Sequence, residues 1–175
     1  MGWAKGIVLA FVAAVLLLAV ALWAAGMRAG AGRNEIILEI NKPPAAVFPW
    51  LVEPAKLKQW IAGMAEMTQL TPGAIRVGTK SRDVMVLGSE STVMTVEITA
   101  MEPGKLLAAH IDADLFADDI RYELSGQGGK TRLVYSAETT YKHWFAKLLE
   151  PVITSAAQRK LVEDTKTLKA LVQSQ

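Results

Sequence analysis

Few residues in this 175-residue chain can do chemistry, and their spacing limits what that chemistry is. The chain has no cysteine, which removes thiolate nucleophiles, disulfides and cysteine-type zinc sites. His110, Asp112 and Asp114 alternate, and Asp118 and Asp119 follow closely. On a strand such residues face one way, so the group imitates a metal site. No second histidine is near, and the acids gather at an expected strand end, where a solvated loop accounts for them. No metal is assigned. His143 precedes Trp144 and reads as a helix-entrance residue rather than a general base. Gly129-Lys130-Thr131 matches the end of a phosphate-binding loop, but residue 124 is Leu where that motif requires Gly, so a hairpin turn explains it. There is no nucleophile-elbow pattern, and no catalytic residue or cofactor is assigned.

Charge excludes another class. The formal net charge is +2, yet Lys5, Arg28 and Arg33 flank one N-terminal apolar run, leaving 16 basic and 17 acidic residues elsewhere. A nearly neutral domain lacks the clustered Lys and Arg that displace counterions from phosphates, so nucleic acid is not an expected partner.

The apolar run, residues 6–27, carries no charge and would extend roughly 33 Å as a helix. That length predicts a transmembrane helix over 1–28, a signal anchor in contact with the lipid bilayer through residues 6–27. Lys5 and Ala29-Gly30-Ala31 also have the make-up of a cleaved signal peptide, but the run is long for one. The chain is therefore expected at a membrane, single-pass, and the small positive excess of Arg28, Arg33 and Lys42 favours a cytoplasmic domain. Residues 29–33 read as a short tether and 34–175 as one α+β domain.

That domain opens with Glu35 to Ile40, apolar and branched like a strand. Pro43 and Pro44 then suit a first helical turn, Pro49 should shorten or kink that helix, and a second helix runs from Pro54 to Ile61. Turn signals at 71–73, 88–89, 102–104 and 126–129 separate six further strands between Met67 and Tyr141. Connections this short require antiparallel pairing. Alternation puts Met94, Val96 and Ile98 on one face with Ile120, Tyr122, Leu124, Leu133, Tyr135 and Ala137, while Thr95, Glu97, Arg121, Glu123, Arg132 and Glu138 face solvent. Phe145, Leu149, Ile153, Ala157, Leu161, Thr165, Leu168 and Val172 form one helical stripe, with Pro151 expected to kink or restart the helix.

This order resembles the START-like, or SRPBCC, superfamily of helix-grip proteins, which includes polyketide cyclases, the major birch pollen allergen and lipid-transfer domains. Ile40 to Phe48 is similar to its opening strand and helix, Leu57 to Trp60 to its second helix, and Gly73 to Thr79 to its paired-glycine strand entry. Ile98 to Pro103 and Thr131-Arg132-Leu133 are similar to later landmarks, so the likeness covers about 34–173. It implies a curved sheet gripping the long helix with a cavity between them. Trp60 and Met64 would lie at the mouth, Met94, Val96, Tyr122 and Tyr135 on the sheet, and Phe145, Leu149 and Ile153 on the helix, making an apolar ligand site. The same residues would equally build a closed core. The leading expectation is a binding protein for a small hydrophobic ligand, lipid-like or aromatic. The cyclase or hydratase branches would instead imply an enzyme, with Tyr122 and Tyr135 as hydrogen-bond donors and His110 or Glu97 as proton carriers. A third reading is a protein-interaction module whose cavity is filled by side chains.

Overall fold

A computed structural model describes residues 2–28 and 32–174, without the side chains of 2–5, 8, 25–28 and 148. Residues 29–31, most of the expected tether and the proposed cleavage site, lie outside it.

The element order is α1 (Gly2–Arg28), β1 (Arg33–Ile40), α2 (Pro44–Val47), α3 (Pro49–Val52), α4 (Pro54–Trp60), β2 (Met64–Gln69), β3 (Lys80–Leu87), β4 (Glu90–Glu102), β5 (Leu106–Ala113), β6 (Phe116–Gln127), β7 (Lys130–Tyr141) and α5 (Trp144–Gln173). Prolines begin α2, α3 and α4, where a missing N–H is tolerated and the fixed φ suits a first turn. Pro49 therefore divides the expected first helix in two rather than bending it. The strands form a seven-stranded antiparallel sheet in the order β1-β7-β6-β5-β4-β3-β2. Its concave face meets α5 at the β1–β7 side, where Leu168 and Val172 pack with Ile40, Leu133 and Tyr135 in the core. The convex face is charged. Register lines up Lys80, Glu97, His110, Asp119, Glu138 and Arg33 across six strands, and they pair as Lys80–Glu97, His110–Asp119 and Arg33–Glu138.

One expectation about the architecture fails. Among the described residues no helix is long and apolar enough to cross a membrane. The transmembrane signal anchor expected over 1–28 therefore does not stand; α1 packs against α5. Pro151 also behaves differently from a helix end, since α5 continues through it. Its missing N–H removes one bond from a helix held by its buried second half.

Candidate functional site

Chain direction near Trp60 creates the site. The Trp60 indole Nε1 donates to the Trp50 carbonyl at 2.8 Å, joining α3 to α4, and the Ala62 N–H donates to Asp164 Oδ1 of α5 at 3.1 Å. Gly63 then turns the chain into β2 with φ +84°, and a Cβ there would lie 2.5 Å from the Val86 carbonyl oxygen. Only glycine takes that conformation without strain. These ties hold α3 and α4 over the β2–β6 part of the concave face, away from the strands that α5 covers.

The space left between them is a cavity of about 140 Å³. Its helical wall is Leu51, Val52, Pro54, Leu57 and Ile61, and its floor is Met94, Val96, Ile98, Ala109, Ile111, Ile120 and Tyr122. Met64 and Met67 of β2 stand at one side. For scale, an apolar cavity of about 150 Å³ admits one benzene. The room fits an aromatic ring or a short branched chain.

Few polar groups reach the lining, and Thr79 and Gln69 are bound to backbone. Thr79 Oγ1 accepts the Arg76 N–H at 2.9 Å, and Gln69 Nε2 donates to the Gly73 carbonyl at 2.8 Å. Tyr122 is buried, tilted 53° against Tyr135 with centroids 4.9 Å apart. Burial pushes its phenol well above the ordinary value, so it stays a neutral donor. Asp83 differs from these. It is 2 % exposed, and its Oδ1 is a buried oxygen with no hydrogen-bond partner among the described residues. Burial raises its carboxyl above the usual range, opposed by a hydrogen bond from Ser81 and the charge of Lys58. Register explains the position, since Asp83 pairs with Met94 across β3 and β4 and so shares its inward face.

The structure brings Met64, Met94, Val96 and Tyr122 to the cavity. Trp60 is buried in the core and supports the wall through its bond to Trp50. Tyr135 packs at a tilt against Tyr122 and is not on the lining. Phe145, Leu149 and Ile153 are 44 %, 46 % and 37 % exposed on the first half of α5 and do not reach the cavity, whose helical wall is α3–α4. His110 and Glu97 sit on the convex face, with His110 Nδ1 2.8 Å from Asp119 and Glu97 3.1 Å from Lys80. Asp112 is bound by Lys142 Nζ at 2.7 Å. Asp118 faces the other way from Asp119: it pairs with Ile111, is raised chiefly by burial, and has an unpartnered buried Oδ1, yet lies outside the lining.

Sequence reasoning missed Asp83. Alternation along Val84 and Val86 points the valines inward and the acid outward, the reverse of what register imposes, with Val86 41 % exposed. Pairing to Met94 was the signal, and it becomes legible only with the β3–β4 hairpin aligned.

A sheet gripping a long helix, with three short helices and a cavity beneath them, agrees with comparisons to known proteins. The family model described as polyketide cyclase / dehydrase and lipid transport matches residues 37–173. The chain belongs to that family. Its helix-grip fold recurs in solved structures. The protein TTHA0849 from Thermus thermophilus superposes with TM-score 0.69 at 17% identity, covering 81% of this chain and 97% of that one. CV1439 from Chromobacterium violaceum gives 0.63 at 17% identity, covering 81% and 97%. The protein Ara h 8.0201 gives 0.66 at 16% identity, covering 82% and 98%. At such identities the likeness establishes fold alone. No curated protein matches the chain significantly.

Proposed function

We propose that residues 34–175 form a binding unit for a small hydrophobic ligand, held between α3–α4 and the β2–β6 floor. The observation that carries this is the apolar cavity itself, about 140 Å³ and lined almost wholly by apolar side chains. A domain with only a structural role gains by closing it, and a ligand recovers the same contacts. Size and lining favour a ring or short-chain aliphatic group over a long lipid, in contact with Met64, Met94, Val96 and Tyr122. Membership of a family described by polyketide chemistry and lipid transport supports the apolar class.

The test is native mass spectrometry of the purified full chain, with titration of toluene followed by thermal shift. Saturable stabilisation supports the reading; no retained molecule and no saturable shift overturns it. A cyclase-like activity has one observation in its favour, the ionisable Asp83 in the lining. His110 and Glu97 are removed from that role by their place on the convex face. An interaction module with a side-chain-filled interior fits less well, because the interior has room.

A further inference from the structure

We propose that Asp83 selects the ligand: the cavity takes an apolar molecule bearing one hydrogen-bond donor, a hydroxyl or amine, which points at Asp83 Oδ1. This rests on the binding function proposed above and gives it a chemical class. Three observations carry it. Asp83 lines the cavity, is 2 % exposed, and keeps one oxygen without a partner among the described residues. A buried acceptor left unmade is costly and uncommon in folded proteins, so its persistence on a residue that lines the apolar cavity points to an external donor. Of the other polar groups in the lining, Thr79 and Gln69 are bound to backbone and Ser81 is hydrogen-bonded to Asp83 itself. Tyr122 stands on β6, two strands beyond β4, so its hydroxyl serves a different part of any bound molecule.

The wall geometry orients the ligand. Met94 faces Asp83 across the β3–β4 pair, with Val96 two residues further along the same face. A ring lying on Met94 and Val96 presents a substituent at its edge to the carboxyl. An acceptor-only ligand, a ketone or ester, finds no donor there while the carboxyl is ionised and is then disfavoured. Burial shifts the carboxyl toward its neutral form without removing its acceptor oxygen, which lets it accept from a hydroxyl and, once ionised, from an ammonium.

The test compares phenol, benzylamine and toluene against the full chain by calorimetry, with Asp83→Asn, Asp83→Leu and Asp118→Asn as variants. Phenol or benzylamine is expected to bind wild type on the order of tenfold or more tightly than toluene, the range of a hydrogen bond to a charged group. Whichever donor is preferred identifies its type. Asp83→Leu should abolish that preference while retaining toluene, and Asp83→Asn should reduce it. Asp118→Asn, an orphan carboxyl outside the lining, should leave it unchanged. Toluene binding equal to or tighter than both donors in wild type, or a preference that survives Asp83→Leu, overturns the assignment while leaving the cavity's function intact. Failure of all three probes to bind wild type overturns the underlying binding function instead.

Discussion

Ala109→Leu separates a real cavity from a core that only looks loose. Ala109 is 5 % exposed on β5, pairs with Ile98 and Ile120, and points into the middle of the floor. The substitution adds three carbons. At about 0.8 kcal/mol per buried carbon, placing them in vacant space stabilises the ligand-free domain by up to roughly 2.4 kcal/mol. In a filled core the same carbons force side chains off their rotamers and cost about 1–3 kcal/mol. The two cases differ in sign, so precision is not limiting. Urea denaturation reads the answer as a shift in midpoint at constant slope. We expect a higher midpoint together with loss of toluene-induced stabilisation, since the added side chain occupies the ligand's space. A lower midpoint at unchanged slope refutes the reasoning from volume, and a higher midpoint with toluene binding intact places the ligand elsewhere.

Asp83→Asn should raise stability at pH 7 and much less at pH 3, read as the shift in urea midpoint. The sign follows from linkage: a carboxyl whose folded pKa lies above its unfolded value, ordinarily 3.8, binds more protons when folded, so its penalty grows as pH rises from near 4 through the raised value. An equal effect at both pH values contradicts this. Trp60→Phe removes the bond to the Trp50 carbonyl and should cost about 1–3 kcal/mol in urea unfolding while weakening toluene binding, because the wall loses its tie. Gly63→Ala should cost about 1–3 kcal/mol from the left-handed backbone alone, and more from contact with the Val86 carbonyl; a neutral result in a thermal melt argues against the joint described.

Much of the fold was legible because its signals are local. Pro44, Pro49 and Pro54 mark helix starts through their missing N–H, and the turn glycines between strands force antiparallel neighbours whatever lies elsewhere. Inward placement of Met94, Val96 and Tyr122 follows from two-residue alternation alone. The site was less legible because it depends on which element covers which strand. A periodic stripe says that α5 buries one side, but not that only its second half, around Leu168 and Val172, reaches the core while Phe145 and Leu149 stay outside. Asp83 was hidden for a related reason: a carboxyl inside breaks the hydrophobic pattern that defines inside, and pairing across a hairpin overrides that pattern. The apolar run at 6–27 misled in the opposite direction, since composition there implied a membrane span, and among the described residues no helix is long and apolar enough to make one.

Walling the cavity with α3 and α4 rather than with the long helix has a consequence for how such proteins diversify. Residues 49–60 are contiguous, close one side of the chamber, and contribute little to the strand ladder. Because Trp50, Leu51 and Trp60 of that stretch also belong to the core, changes at Val52, Leu57 and Ile61 are the ones that can resize the chamber while the scaffold beneath stays in place.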